Sequence, residues 1–335
     1  MMGRYEELHE ILAKRKFFKL VCGAGNEDLK EVERLALVYT LAGAHMHDLS
    51  ANVEVVEAAK RGVERAYDLA SHFNREIAVR PYLNVSIGIK GDPHVRKAKI
   101  DGEKCEQCGE CISACRQEAI PDNFIVLEQL CIGCGDCERC CPSGAIKFFH
   151  KKADFDKILP ECAARGVETM ELHAVSNDDE AVAHNWLLLK KIIPDNYLSV
   201  CIDRSLLSNK HLVQRIQSLY EISRERLIVQ ADGVPMSGEG DDFNTTLQAV
   251  ACADIVIKSG IPAMVLLSGG TNTKTGELAQ QCGVCAHGVA IGSFARKIVK
   301  QYLVRDDFDS NKNILSEAIN VAEILIKTNI EAING

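Results

Sequence analysis

The sequence predicts a (β/α)8, TIM-like barrel interrupted after its third strand by an inserted cysteine-rich module. Three observations carry this. Eight short runs rich in β-formers alternate with amphipathic helical stretches, the pattern of a parallel α/β sheet. Nine of the fifteen cysteines crowd between Cys105 and Cys141, eight of them in two matching runs. Setting aside residues 92–150 leaves 276 residues, close to the roughly 250 of a typical barrel of this kind.

The first run is FFKLVCGAG (17–25), followed by a helical stretch over 27–42. HMHDLSA (45–51) leads into a helix over 53–73, and AVRPYLNVSIG (78–88) leads into the insert. After the insert come a helix over 154–166, TMELHAV (169–175), a helix over 179–193, YLSVCIDRS (197–205) and a helix over 209–223. RLIVQADG (226–233) is the sixth strand and precedes a helix from about Asn244. ADIVIKS (253–259) reads as the end of that helix and not as a ninth strand, because Gly260 and Pro262 supply a stop. AMVLLSGG (263–270) and HGVAIGS (287–293) complete the eight; a helix over 294–303 and an amphipathic helix over 313–332 close the chain. The expected division is barrel over 1–91, insert over 92–150 and barrel again over 151–335. An insert following a strand sits on the C-terminal face, where barrel sites lie.

Composition narrows the function. The chain carries 47 acidic against 39 basic residues, a net charge of −8, and only 5% aromatics. This argues against nucleic-acid binding, which rests on basic surface. Apolar runs stop short of the about 18 residues of a membrane span. The start, MMGRYEELHEILAKRK, is charged and lacks the apolar core of an export signal. The expected location is therefore cytoplasmic, where cysteines in register point to metal or redox chemistry and not to disulfides.

The two cysteine runs are CEQCGECISAC (Cys105, Cys108, Cys111, Cys115) and CIGCGDCERCCP (Cys131, Cys134, Cys137, Cys141, then Pro142). Both follow C-x2-C-x2-C-x3-C, the bacterial ferredoxin spacing, in which the fourth cysteine serves the other cluster. One [4Fe-4S] cluster is thus expected on Cys105, Cys108, Cys111 and Cys141. The second is expected on Cys131, Cys134, Cys137 and Cys115. A pair of zinc sites is the weaker alternative, since zinc has no use for the third C-x2 step. The segments RQEAIPDNFIVLEQ and PSGAIKFFHKK repeat a turn, an Ala-Ile pair and a short strand. Arg116 stands where a proline is usual, and Cys140 is an extra thiol, read as a bystander.

GDPHVRKAKID before the first run, the two cluster motifs, and then LLSGGTN and GVAIGSFAR together resemble the light-dependent period protein (LdpA) family described in cyanobacteria. The likeness runs from FFKLVCGA to GSFARKIV. It implies two iron–sulfur clusters and, for the cyanobacterial members, a link to redox input into the circadian clock; it implies no particular reaction.

The loops after the seventh and eighth strands, SGGTNTKTG (268–276) and GVAIGSFAR (288–296), occupy the position of a phosphate site in many barrels. Gly269, Gly270, Gly292 and Ser293 are the candidate donors, with Arg296 in the first turn of the helix that follows. A phosphate-bearing ligand, FMN among them, is the expectation there; tight strand–helix turns are the bland reading of the same glycines. Asp48, Asn84, His173, Asp203, Arg204, Gln230 and Asp232 lie at strand ends, with Asp203 and Asp232 a candidate acid–base pair. Cys22, Cys162, Cys201 and Cys252 read as buried structural thiols. Cys282-Gly-Val-Cys285-Ala-His287 reads as a coincidental turn, with a redox dithiol as its alternative. The function expected is electron transfer or redox sensing with a reductase, ferredoxin or regulatory protein as partner, possible oligomerisation included. The alternative is an iron–sulfur oxidoreductase acting on a ligand at the barrel mouth.

Overall fold

A computed structural model describes residues 3–23, 25–89, 96–150, 154–233 and 240–334. Residue 92, the expected start of the insert, and residue 151, the expected resumption of the barrel, lie outside the described residues. Eight parallel strands close into a barrel. They are β1 (Phe17–Val21), β2 (Met46–Ser50), β3 (Tyr82–Gly88), β6 (Thr169–His173), β7 (Leu198–Ile202), β8 (Leu227–Asp232), β9 (Met264–Ser268) and β10 (Gly288–Ile291). Neighbours in sequence are neighbours in the barrel, and β10 closes on β1 with Phe17 opposite Gly288. All eight expected strands are present. The insert supplies β4 (Arg96–Ile100) and β5 (Ile146–His150), a separate antiparallel pair.

The helices form the outer ring. α2 (Leu29–Ala42) begins at Asp28, whose carboxylate accepts the amides of Lys30 and Glu31, and ends at left-handed Gly43; both are ordinary start and stop chemistry. α3 (Val53–Ala70) is capped by Asn52. α6 (Phe155–Ala164), α7 (Asp179–Ile192) and α8 (Asn209–Ser223) follow. α9 (Phe243–Lys258) is capped by Asp242 and contains ADIVIK, so that segment is helix. α10 (Thr275–Gln281), α11 (Ser293–Leu303) and α12 (Lys312–Asn334) complete the ring. None of the described helices is long and apolar enough to cross a membrane.

One element departs from the sequence reading. The charged N-terminal stretch is a helix, α1 (Arg4–Ala13). Its Leu8 and Leu12 pack against Phe17, Met46, Tyr82, Tyr197, Ile228 and Leu266, the lowest inward layer of the barrel. α1 therefore plugs the N-terminal end. Two residues further along the strands the inward layer turns polar: Lys19, Asp48, Asn84, Glu171, Ser199 and Gln230, each at most 4% exposed. Branched apolar side chains usually fill such a layer.

Candidate metal centre and barrel mouth

In the insert, the two cysteine runs fold as near copies. Each places a left-handed glycine, Gly109 or Gly135, before a one-turn helix, α4 (Glu110–Ala114) or α5 (Asp136–Cys140). Gly133 has φ 71°, and its counterpart Gln107 adopts the same left-handed turn at φ 54°. The copy extends to the sulfurs. The Ala119 amide donates to Cys115 Sγ at 3.3 Å and the Ala145 amide to Cys141 Sγ at 3.3 Å. Ala98 of β4 donates to Cys131 Sγ at 3.3 Å. Amide bonds to sulfur stabilise thiolates and tune cluster potentials.

The repeat is imperfect in one respect. The second copy ends in β5, whereas Phe124–Gln129 of the first forms no strand. The partner of β5 is β4, which precedes the first cysteine run and pairs Ile100 with Ile146. The Ala-Ile pairs do match: Ala119, Ile120, Ala145 and Ile146 are all buried.

Cys115 of the first run lies among the thiols of the second. Burial, followed by the neighbouring thiols of Cys134, Cys131 and Cys115, pushes Cys137 up to about 12. Burial likewise raises Cys111, with Cys140, Cys105 and Cys108 adding to it against a backbone hydrogen bond. Thiols packed this way ionise together only beside a cation, as iron ligation requires. Cys140 lies near the first trio too, but its thiol donates to the Cys137 carbonyl at 3.3 Å. Cys141 instead receives amides: desolvation raises its thiol, yet hydrogen bonds from Ala145, Ser143 and Gly144 bring it below the ordinary value. Cys141 is thus the structural equivalent of Cys115. None of the fifteen cysteines is in a disulfide, and the eight of the two spaced runs fit a pair of cubanes.

The insert meets the C-terminal face of the barrel. The buried ammonium of Lys97 donates to Gly25 O at 2.6 Å, beyond β1, and to Cys131 O at 2.8 Å. The Glu27 amide donates to Gln129 O at 3.1 Å. Lys300 of α11 donates to Arg116 O at 3.1 Å. Arg116, where a proline was expected, also pairs with Asp136 at 3.3 Å. Between α11 and the insert lies a cleft of about 160 Å³ lined by Cys134, Arg116, Ser293, Arg296, Lys297 and Lys300, among others.

That cleft divides the expected anion donors. Ser293 lines it; Gly292 immediately precedes α11. Gly269 stands elsewhere, against a carboxylate: an added Cβ there would fall 1.5 Å from Asp232 Oδ1. Gly269 and Gly270 have φ 69° and 73°, as tight turns demand. In the following loop the amides of Asn272, Thr273 and Lys274 are bonded to Thr275, Asp241 and Asn272 side chains.

The lumen holds the strongest electrostatics. Lys19 Nζ donates to Glu171 Oε2 at 2.6 Å and Gln230 Oε1 at 3.0 Å, and lies 3.4 Å from Asp48 Oδ2. Glu171 Oε2 also accepts Ser199 at 2.6 Å, and its Oε1 accepts Gln230 Nε2 at 3.0 Å. Burial opposes both charges, but Lys19 and His173 hold Glu171 far below the usual carboxylate range, and Asp48 and Glu171 hold Lys19 charged. Asp48 moves the other way: burial, together with Glu171, outweighs Lys19 and raises it. Its Oδ1 accepts Asn84 at 2.6 Å and Ser86 at 2.5 Å. The sequence reading named Asp48, Asn84 and Gln230 but missed Lys19 and Glu171. The signal was there: a charged residue midway along an apolar strand, FFKLV or TMELH, on the alternation that faces inward.

Other candidates fall into place. Asp203 Oδ1 accepts the Ser205 amide and hydroxyl at 2.9 and 2.6 Å, while Asp232 Oδ2 accepts the Cys201 thiol at 3.1 Å. Both carboxylates act on the buried Cys252 thiol, which burial pushes up to about 12. Cys282 and Cys285 are exposed. His287 Nδ1 accepts the Val265 amide at 2.9 Å, a structural tie.

Comparison with known proteins identifies the family and the iron–sulfur motifs. The Light dependent period A C-terminal domain matches residues 162–328, and 4Fe-4S binding domains match 98–120 and 124–146. "Light dependent period A" of Synechococcus elongatus is 30% identical over 343 residues, covering 97% of this chain and 94% of that one. "Indolepyruvate oxidoreductase subunit IorA" of Methanothermobacter thermautotrophicus is 32% identical over 108 residues, 29% of this chain and 17% of its own. Among solved structures, the YdjI aldolase from Escherichia coli K12 has a TM-score of 0.48 at 6% identity, covering 96% of this chain and 92% of its own. A putative fructose-1,6-biphosphate aldolase from Coccidioides immitis has a TM-score of 0.49 at 10% identity, covering 98% and 94%. With its barrel, its iron–sulfur motifs and a relative matched along nearly its whole length, this chain belongs to the Light dependent period A family of iron–sulfur proteins.

Proposed function

We propose that this chain is a cytoplasmic electron-transfer or redox-sensing protein that uses two [4Fe-4S] clusters on a barrel scaffold. Cys105, Cys108, Cys111 and Cys141 would hold one, and Cys131, Cys134, Cys137 and Cys115 the other. Bound there, the clusters supply one-electron chemistry. The single observation that carries the reading is the nearness of Cys115 to the thiols of the second run, with the matched amide bonds to Cys115 and Cys141. Cys108 is exposed, which gives a redox protein partner, such as a reductase, a ferredoxin or a regulatory protein, an approach to the first set.

The test is anaerobic purification followed by iron and sulfide counts and reduced-state EPR. About eight of each per chain are expected. Zinc in their place, or about four irons after full reconstitution, refutes the two-cluster reading. Cys115→Ser should disturb the set containing Cys131, Cys134 and Cys137 and spare the other.

A second reading, an iron–sulfur oxidoreductase, is favoured by the charged lumen beneath the same face. A phosphate-bearing ligand such as FMN would then sit by Gly292 and Ser293, where Arg296, Lys297 and Lys300 supply positive charge. The Gly269–Gly270 side is less suited, because Asp232 brings a carboxylate to it. Release of a yellow flavin on denaturation would favour this reading; full activity of the clusters as a relay in flavin-free protein would remove it.

A further inference from the structure

From Glu171 of the Lys19 layer to the next inward step, a mixed donor set faces the lumen. Glu171 and His173 are alternate residues of β6, so both point inward, and His173 pairs in register with Cys201 of β7. All three are buried: 0%, 5% and 0% exposed. One carboxylate oxygen, one imidazole nitrogen and one sulfur lie within 4.8 Å of one another. His173 Nε2 is 3.2 Å from Glu171 Oε1. Two light ligands of one tetrahedral zinc, each about 2.1 Å from the metal, stand about 3.4 Å apart, so this spacing needs almost no adjustment.

We infer that Glu171, His173 and Cys201 form a mononuclear site for a borderline divalent ion, zinc above all, inside the barrel and separate from the iron–sulfur insert. The mixed sulfur, nitrogen and oxygen set fits zinc, not the all-oxygen preference of magnesium or calcium. Glu171 is already held for the task. Its Oε2 is fixed by Lys19 and Ser199, both at 2.6 Å, while its Oε1 accepts Gln230 Nε2 at 3.0 Å and faces His173. Such outer partners orient a ligand and are part of a working site.

The proton balance is simple. Binding requires the Cys201 thiolate, whose proton is handed to Asp232 Oδ2 at 3.1 Å and from there to solvent. His173 Nε2, which faces Glu171 Oε1 at 3.2 Å as a donor, becomes a ligand once its proton moves to Nδ1, a shift that releases no proton. Glu171 enters as the carboxylate it already is. One proton leaves per ion bound, so affinity rises with pH. Three protein ligands leave one coordination position open, the arrangement of zinc sites that bind water or substrate and not of closed structural ones.

The experiment uses anaerobic protein with its clusters loaded and Zn2+ alone as probe, followed by dialysis and parallel zinc and iron analysis. Expected is one zinc per chain with the iron content unchanged. His173→Gln and Cys201→Ser should each weaken retention at least tenfold, while Cys282→Ser/Cys285→Ser, which removes the exposed thiol pair, should retain zinc fully. Zinc K-edge absorption of the wild-type protein should show one sulfur at about 2.3 Å and nitrogen or oxygen neighbours at about 2.0–2.2 Å. The inference is overturned by no zinc uptake, by zinc that survives both lumen variants or vanishes with the thiol pair, or by iron falling as zinc rises. The wild-type spectrum decides without any variant: a shell of several sulfurs refutes the site even if the substituted proteins do not fold. A negative result leaves the iron count, and so the cluster reading, untouched.

Discussion

Replacing Lys19 by methionine tests the energetics of the barrel interior. The substitution keeps the length of the side chain and removes its charge. Glu171 loses its 2.6 Å partner, and Asp48 loses the ammonium 3.4 Å away. Lys19 and Glu171 are fully buried and Asp48 is 1% exposed, so water cannot replace what is lost. Breaking a fully buried pair from one side costs about 3–5 kcal/mol. With a urea m-value of about 3 kcal/mol/M, the unfolding midpoint should fall by about 1 M or more. The pH dependence has a definite sign. Glu171 is held below its unfolded value by Lys19, so in the parent protein it stabilises the fold above the unfolded carboxylate pKa, and that contribution fades only as pH falls through its own lower pKa. Without Lys19 the buried carboxylate prefers to be protonated. The deficit of the variant should therefore be large at pH 7 and shrink as pH falls toward about 4.5. Trp186 is the one tryptophan and is fully buried on α7, bonded to Ser223 at 2.8 Å; its fluorescence reports this side of the barrel directly. The double variant Lys19→Met/Glu171→Met should regain much of the loss, because it removes a buried charge with its partner. A deficit under about 1 kcal/mol, or one that does not change with pH, would refute the reasoning.

Other outcomes follow from single contacts. Cys141→Ser should cost one cluster's worth of iron, whereas Cys140→Ser should keep the full iron count, since the Cys140 thiol is committed to the Cys137 carbonyl. Lys97→Met leaves two carbonyls, Gly25 and Cys131, without their buried donor; bleaching of the iron–sulfur absorption in air should be several-fold faster. Gly269→Ala should destabilise the barrel by at least about 2 kcal/mol in urea unfolding, from left-handed strain and from the displaced Asp232 carboxylate.

Much of this was legible beforehand because the signals were local. Strands such as YLNVSIG and LIVQAD announce themselves by composition, and the stop at Gly260–Pro262 kept ADIVIK in its helix. The cysteine spacing likewise marks the iron–sulfur motifs over 98–120 and 124–146. What escaped depends on closure of the barrel. Lys19 and Glu171 are 152 positions apart and meet only because β1 and β6 face a common interior. Cys201 looked like an inert thiol on an apolar strand; its neighbours His173 and Asp232 come from other strands. Gly269 read as an anion cradle because nothing in SGGTN reveals that β8 ends in a carboxylate beside it. The missing strand after the first cysteine run has the same origin, since β5 found its partner before that run and not after it.

The helix that stoppers the lower end of the barrel has a consequence for how the two ends are covered. Leu8 and Leu12 seal that end with apolar side chains against a layer of Phe17, Tyr82 and Tyr197. The interior is thereby floored at α1 by apolar side chains, with the charged layer of Lys19, Asp48 and Glu171 lying above that floor. The insert meets the barrel at the opposite end, where Lys97 donates to Gly25 O. The two ends of one barrel are thus covered by different parts of the chain, an N-terminal helix below and the cysteine module above.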